Sequence, residues 1–234
     1  MIAITFAVPE ESSRFCRQLK SRRQLRVGSM RVQEGQVGAQ LVRVAHIGMG
    51  LDAAQRNTEL LLENQRPDGL IAAGFGGALI TDLKVGDVVV DPRTWNEKEP
   101  GWDRPAAWCH KGAILSRPSP LETAAEKEQA FRETGAWVVD METDAVAAVC
   151  AKAGVPMLGV RAISDGARDP LPVPLPAWYD IQAQRPRPAV LVGYLLTHPG
   201  VIMPFLRFLR GLPSAQRALA EFLNGFLAGS PAIK

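Results

Sequence analysis

Two short apolar runs joined by one helical stretch constrain the fold of this chain more than any other segment. Residues 137–141 and 156–163 are rich in Val and Ile, as buried strands are. The residues between them show apolar side chains at helical spacing and then two helix-ending residues: Ala145, Val146, Val149, Cys150, Gly154 and Pro156. The pattern predicts strand, helix, strand, and a crossover of this length predicts two parallel strands of one α/β sheet.

A carboxylate follows each of these predicted strands, Glu142 after the first and Asp165 after the second. Parallel strands end at the same edge of a sheet, and open α/β sheets bind their ligands at that edge. We therefore expect Glu142 and Asp165 to reach one small molecule together. The alternative is local: Glu142 would cap the following helix and Asp165 would open a turn, as carboxylates often do.

Strands, helices and glycine turns alternate along most of the chain and predict one α/β domain over residues 1–234. The other predicted elements are a first strand at 1–7, helices at 11–25, 51–64 and 124–133, a hairpin at 30–37 and 40–45, and strands at 69–73 and 88–90. The proline-rich residues 168–176 predict an extended arm or lid, because proline lacks a donor and fixes its backbone. A helical extension is predicted over 188–234, with breaks at 199–200 and 211–213.

Composition excludes several classes of protein. Lys plus Arg (27) exceeds Asp plus Glu (24) by only three, which does not indicate a nucleic-acid-binding surface. Three widely spaced cysteines do not form a disulfide framework, and the N-terminus does not have the basic start of a signal peptide, so we expect a cytoplasmic protein. The three histidines lie far from other ligands, so no metal is expected. No uninterrupted apolar run reaches the roughly 20 residues of a membrane span.

Glycine-rich turns follow two of the predicted strands, at Gly48-Met-Gly50 and at Gly74-Phe-Gly-Gly77. Glycine lets a backbone approach a ligand closely, and successive N–H groups can hold an anion or a water molecule. The second turn is not a dinucleotide fingerprint, because a third glycine is missing at the required offset. It could equally be a tight turn with a structural role only.

Several segments together resemble the superfamily of nucleoside phosphorylases and nucleosidases, which includes purine and uridine phosphorylases and methylthioadenosine/S-adenosylhomocysteine nucleosidases. These segments are Ala7-Val-Pro-Glu-Glu, the two glycine turns, Leu83-Lys-Val-Gly-Asp, Val139-Asp-Met-Glu142 and Arg161-Ala-Ile-Ser-Asp165. The resemblance implies a three-layer α/β/α fold with a mixed, mainly parallel, curved sheet, no cofactor, and a homodimer. Within the superfamily the chain is most similar to the hopanoid-associated phosphorylase branch, which implies release of adenine from adenosylhopane.

The resemblance also implies roles for individual residues. Asp165 would protonate the departing base, oriented by Ser164, while Glu142 and the Met141 backbone would hold the ribose. The base and the sugar would further contact Gly50, Gly74, Phe75, Gly76, Gly77, Ser119 and Pro120. Trp95, Trp102 and Trp178 could stack on the base or simply pack in the core or the arm.

Two positions depart from the family pattern and leave the nucleophile open. The superfamily commonly has Ser where Phe75 stands, and the nucleosidases have a catalytic Glu where Ser12 stands. Glu11 is the expected substitute base for hydrolysis, whereas Arg14 falls where some phosphorylases bind phosphate, which would make inorganic phosphate a co-substrate. Three alternatives also remain open. The chain could be a nucleosidase of the methylthioadenosine/S-adenosylhomocysteine type or a non-catalytic nucleoside-binding module. It could also be a membrane-peripheral protein that binds lipid through its apolar tail, and the same apolar surface would equally suit a lipid-like 5′ group of the substrate.

Overall fold

The structure, a computed structural model, describes residues 1–94 and 109–229. Its helices are α1 (Pro9–Gln18), α2 (Leu51–Asn64), α3 (Ala124–Thr134), α4 (Thr143–Ala153), α5 (Pro188–Thr197) and α6 (Ile202–Ala228). Its strands are β1 (Ile2–Phe6), β2 (Lys20–Val27), β3 (Met30–Val37), β4 (Gln40–His46), β5 (Gly69–Ala78), β6 (Val88–Val90), β7 (His110–Lys111), β8 (Ile114–Ser116), β9 (Val138–Asp140), β10 (Met157–Asp165), β11 (Tyr179–Asp180) and β12 (Arg185–Pro186).

Ten of these strands form one mixed sheet. Its main order is β2-β3-β4-β1-β5-β10-β6-β7, and β9 joins β5 to β8 beside that path. The central pairs β4-β1, β1-β5 and β5-β10 are parallel, whereas the β2-β3-β4 hairpins and the β10-β6 pair are antiparallel. The predicted mixed, mainly parallel sheet is confirmed.

Helices cover both faces of this sheet, which confirms the three-layer architecture. Alternate residues of β1 point to opposite faces, as the pleat requires. Ile4 packs with Phe15 of α1 and Phe222 of α6 on one face. Ala3 packs with residues of α2 and α4, including Leu61 and Val146, on the other face. The first core combines aliphatic and phenylalanine side chains, the second is mainly aliphatic, and both are buried, so the sheet is held between two helical layers.

Local sequence signals fix several helix ends. Thr123 caps α3 by accepting the Glu126 N–H at 3.2 Å, and the Glu126 carboxylate accepts the Thr123 N–H in return, which is a capping box. Helices α3 and α4 both end at glycines in the left-handed conformation, Gly135 and Gly154. These ends agree with the predicted helix at 124–133 and with the helix that Gly154 was expected to stop.

Three predictions about elements were wrong. The helix expected at 11–25 ends at Gln18, and the following residues form β2, because pairing with β3 outweighs the helical preference of this arginine-rich segment. Helix α6 runs through Gly211 and Pro213 without a break. Gly211 and Ser214, on either side of Pro213, pack against residues 85–86. This packing compensates for the backbone hydrogen bond that Pro213 cannot donate.

The third error concerns the strands of the opening motif. Both pair with β5, but β10 runs parallel to it and β9 runs antiparallel, so β9 and β10 are not parallel to each other. Gly77 of β5 lies opposite Asp165 in one pair and opposite Val139 in the other. The ends of β9 and β10 therefore still lie close together, but on opposite sides of β5 and not side by side at one edge of the sheet.

Candidate active site

Glu11 is held by the backbone at one end of the site. It lies in the first turn of α1 and is buried, with an exposed fraction of 8%. Its Oε2 accepts the N–H groups of Ala7 and Val8 at 2.9 and 3.3 Å, and its Oε1 accepts the Phe75 N–H at 2.8 Å. Burial raises the pKa of Glu11 despite these three donors. A buried carboxyl with a raised pKa and a fixed orientation is suited to accept a proton.

Glu142 lies at the start of α4 and is also buried. Its Oε1 accepts the N–H of Gly50 at 2.8 Å, so the turn before α2 and the turn before α4 meet at this side chain. Gly50 has a φ of +92°, a conformation that glycine adopts most easily. The local alternative, in which Glu142 caps its own helix, is not seen, because its side chain makes no capping hydrogen bond.

A buried ion pair lies beneath these two carboxylates. Arg161 of β10 donates from Nε and Nη2 to Oδ2 of Asp140 at 2.8 and 2.5 Å, and from Nη1 to the carbonyls of Ala72 and Val160. Asp140 also accepts the hydroxyls of Ser116 and Thr143. These hydrogen bonds fix the ion pair in place beside the two glutamates.

The charges of this group do not balance. Three buried carboxyls, Glu11, Asp140 and Glu142, share the single guanidinium of Arg161. Burial, together with repulsion from Asp140 and Glu11, raises the pKa of Glu142 to about 8. For Arg161, burial lowers the pKa, but attraction by the three carboxyls outweighs it and leaves the pKa raised. Protonation of Glu142 relieves this excess of negative charge, and a cationic group beside Glu142 would favour its ionised form.

Asp165 lies at the other end of the site and has an unexpected partner. Its Oδ2 accepts from Nζ of Lys127 at 2.5 Å, and its Oδ1 accepts the Ser164 hydroxyl at 2.6 Å. The Lys127 side chain is 1% exposed and donates further to the carbonyls of Gly166 and Asp169. The expected burial of Asp165 is observed, and so is its contact with Ser164. Its ammonium partner on α3 was not predicted.

The glycines of β5 give both carboxylates access to one strip of backbone. A Cβ at Gly74 would lie 2.8 Å from Oε1 of Glu11, and a Cβ at Gly77 would lie 2.9 Å from Oδ2 of Asp165. A Cβ at Gly76 would instead meet Val138 at 2.5 Å, so this glycine serves sheet packing. Three residues of strand, about 10 Å, separate the Glu11 and Asp165 contacts. This span suits one nucleoside-sized molecule.

An apolar wall adjoins the Glu142 end. Met141 packs with Leu175 and Tyr179, and the residues around this buried group are Val8, Met49, Trp178 and Ile181. Gln184 makes two hydrogen bonds to the turn before α2. Its Oε1 accepts the Met49 N–H at 2.7 Å, and its Nε2 donates to the Met49 carbonyl at 2.8 Å. The segment 175–184 thus lies over the Gly50–Glu142 contact as a lid. Trp178 belongs to this lid packing.

Some predicted residues are not brought to this group. Ser12 bonds to Nε2 of His46 at 2.7 Å, so it is not beside Gly74. Arg14 is half-buried, and no hydrogen bond or ion pair joins it to another residue within 1–94 and 109–229. Ser119 is exposed and Pro120 half-buried in the loop after β8. The side chain of Phe75 packs on the α1–α6 core, so only its backbone faces Glu11.

Trp95 and Trp102 lie outside the described residues. Sequence reasoning missed Lys127, Asp140 and Arg161 as site residues. Arg161 gave a usable signal, because a charged residue within a buried apolar strand requires a buried partner. Lys127 gave a weaker one, since it shares the inward face of its helix with Ala130, one turn further on.

Comparison with known proteins places this chain in a family. The profile of the Phosphorylase superfamily matches residues 1–108 and 96–190. The chain is 28% identical over 196 residues to a 5′-methylthioadenosine/S-adenosylhomocysteine nucleosidase of Haemophilus influenzae (strain PittGG), covering 70% of this chain and 86% of the relative.

Solved structures share the fold at lower sequence identity. An S-adenosylhomocysteine nucleosidase of Streptococcus pyogenes, in complex with 5-methylthiotubericidin, superposes with a TM-score of 0.72 at 20% identity over 98% of this chain and 97% of that one. A futalosine hydrolase of Helicobacter pylori gives a TM-score of 0.69 at 21% identity over 97% of each chain. The superpositions establish a common fold, and the family profile spans more than half of the sequence. The chain belongs to the phosphorylase superfamily.

Proposed function

We propose that this chain hydrolyses the N-glycosidic bond of an adenine nucleoside that carries an apolar 5′ substituent. The observation that carries the proposal is a set of three buried carboxyl groups: Glu11 beside Gly74, Asp165 beside Gly77, and Glu142, which is held by Gly50 and is close enough to Glu11 for their charges to repel. The named relatives are nucleosidases and a hydrolase, which supports both the reaction class and the adenine base. The cytoplasmic setting and the homodimer stay predictions.

Glu142 acts on the sugar. Breaking the bond between ribose and base places positive charge on the ribose in the transition state. Such a cation would offset the surplus of carboxyls around Arg161 and would favour the ionised form of Glu142. Glu142, held by Gly50, would accept a hydrogen bond from a ribose hydroxyl, and its ionised form would strengthen that contact as charge develops.

Asp165 and Lys127 act on the base. The departing adenine must gain a proton, and Asp165 in this arrangement is a carboxylate that already accepts two hydrogen bonds. The ammonium of Lys127 is the proton donor in direct contact with it. The proton therefore passes from Lys127 Nζ to Asp165 Oδ2, and from Asp165 to the base nitrogen as the glycosidic bond breaks. Ser164 fixes the carboxylate during this transfer.

Glu11 activates the nucleophile, and the charge of the site favours water. A phosphate dianion beside Gly74 would face the carboxyls of Glu11 and Glu142, with Arg161 already paired to Asp140. A water molecule there meets no such repulsion and can lose its proton to Glu11. Glu11 thus acts as the general base, a role that the hydroxyl of Ser12 cannot fill.

Phosphorolysis is the second candidate, because one observation favours it. Arg14 lies one turn after Glu11 on α1 and is half-buried without an ion-pair partner among the described residues. A guanidinium in that state can bind phosphate. Inorganic phosphate would then be a co-substrate.

The apolar wall supports the 5′ substituent. Met141 and Met49 are the chain neighbours of Glu142 and Gly50, so the wall begins where the sugar contact ends. Burial of an apolar group there is favourable by about 25 cal/mol per Å². Adenosylhopane, with its lipid-like 5′ group, is the specific substrate that we propose.

The test follows free adenine and ribose 1-phosphate from adenosine derivatives of increasing 5′ apolarity, in phosphate and in phosphate-free buffer. We expect adenine in both buffers, no ribose 1-phosphate, and a lower KM for the more apolar substrates. Glu11→Gln should lose activity, whereas the matched Ser12→Ala variant, one residue away, should keep most of it. Strict dependence on phosphate would refute hydrolysis, and absence of adenine release in either buffer would refute the enzyme itself.

A further inference from the structure

The segment that follows the lid is apolar and basic, and its packing against the protein leaves every residue at least partly exposed. No residue from 180 to 214 is buried. We propose that this segment docks the protein on an anionic lipid surface through an apolar–basic face, made of α5 and the first half of α6. Its apolar members are Val190, Val192, Leu196, Met203, Leu206 and Leu209, and its basic members are Arg187, Arg207 and Arg210.

The apolar exposure is concentrated on this face. Among residues 1–94 and 109–229, every large apolar side chain that is at least 40% exposed belongs to it, from Leu206 and Leu209 at 40% to Met203 at 61% and Leu196 at 77%. Helix α5 carries no charged residue in ten positions. A helix that is apolar all round is normally buried in a core or in lipid, and α5 has no buried residue. Apolar exposure concentrated in two consecutive helices indicates an interaction surface.

The charge of the segment favours an anionic lipid surface over a second copy of this chain as the binding partner. Between Asp180 and Glu221 the chain has five arginines and not one acidic residue. Apolar side chains flanked by arginines suit a membrane interface, where the apolar groups enter the acyl boundary and the guanidiniums meet anionic headgroups. A second copy of the same face would instead bring arginines against arginines, which is repulsive.

The geometry fits docking on a membrane rather than crossing it. No single described helix is long and apolar enough to span a bilayer; α5 and the chain from Pro199 to Ala228 would have to act together, but they are bent by 107°. The second half of α6 is fixed in the protein core through Ala215, Leu219 and Phe222. The free part of each helix is about 15 Å long, half of a hydrocarbon core.

The face is continuous with the candidate active site. Residue Gln184, which clasps Met49, lies four residues before α5. At the other end of the face, a Cβ on Gly211 would lie 3.9 Å from the carbonyl oxygen of Ser164, the neighbour of Asp165. A membrane bound at this face would therefore lie beside the lid and the apolar wall.

The experiment measures co-sedimentation of the full chain with vesicles of phosphatidylcholine alone and of phosphatidylcholine with phosphatidylglycerol. We expect binding to the anionic vesicles that weakens with salt and is at least about tenfold weaker on neutral vesicles. Leu196→Asp with Met203→Asp, and separately Arg207→Glu with Arg210→Glu, should each weaken binding by about tenfold or more. Leu41→Asp, the same change at an exposed position on β4, should bind like the parent chain.

Circular dichroism and release of adenine from a water-soluble nucleoside check that each variant is folded, and vesicle binding is read independently of that reaction. A parent chain that stays in the supernatant with anionic vesicles would overturn the proposal, as would variants that bind as the parent does. Light scattering tests a third outcome. If the parent chain does not bind vesicles and is a dimer that the Leu196→Asp, Met203→Asp variant fails to form, the face binds a second copy instead.

Discussion

Replacing Glu142 with Gln should make the unliganded protein more stable while it lowers activity. The carboxyl of Glu142 is buried with Asp140 and Glu11, and only Arg161 offsets their charge. Gln keeps the size of the side chain and an oxygen that can accept the Gly50 N–H, but it cannot ionise. The substitution therefore removes the need to bind a proton on folding and keeps the packing.

The magnitude follows from the pKa of Glu142, which is raised from 4.5 to about 8. Between these values the folded protein holds a proton that the unfolded chain has released, so stability falls as pH rises through this window and is fully retained only below it. One proton corresponds to about 1.4 kcal/mol per pH unit, or on the order of 2–3 kcal/mol between pH 5 and pH 7. Glu142→Gln should lose this slope.

Urea unfolding at pH 5, 6, 7 and 8, followed by circular dichroism, measures the difference in stability between the two proteins, in which the titration of groups that do not interact with Glu142 cancels. The exposed Glu63→Gln on α2 is the matched control and should follow the parent. Because the ionised Glu142 stabilises the ribose cation, kcat of Glu142→Gln should fall by about 100-fold or more. A variant with the same pH slope as the parent, or one less stable than the parent at pH 8, would refute the reasoning.

Three further predictions concern other parts of the site. Asp140→Asn breaks the buried pair with Arg161 and should lower the free energy of unfolding by about 3–5 kcal/mol in urea titrations; a change below 1 kcal/mol would contradict the role of the pair. Gly77→Ala pushes a methyl group against Asp165 and should reduce kcat with little change in Tm, whereas Gly225→Ala, which meets open space in α6, should leave kcat unchanged. Lys127→Met should lower stability and reduce kcat by about 100-fold or more. In the double variant Lys127→Met, Asp165→Asn we expect stability to return but not activity. Recovery of both would show that Lys127 is only structural.

Local patterns were sufficient for much of the fold. The capping box at Thr123 and the glycine after α4 fix helix ends within a few residues, because their hydrogen bonds are made inside one turn. The alternation of β1 decided which residues enter each core, since the pleat leaves only two faces. The sequence also predicted Glu142 and Asp165 from their places after apolar strands, and the resemblance predicted Glu11; the structure shows that all three side chains are buried.

Tertiary structure decided the direction of β9, the strand identity of residues 20–27, and the ion partners of the site. Lys127 and Asp165 are 38 residues apart in sequence, and Arg161 and Asp140 are 21 apart. No local spacing encodes such pairs, because they form only when separate elements pack on the same sheet. The same holds for charge: the sequence determines which groups can ionise, but burial and the count of neighbours determine which of them hold a proton.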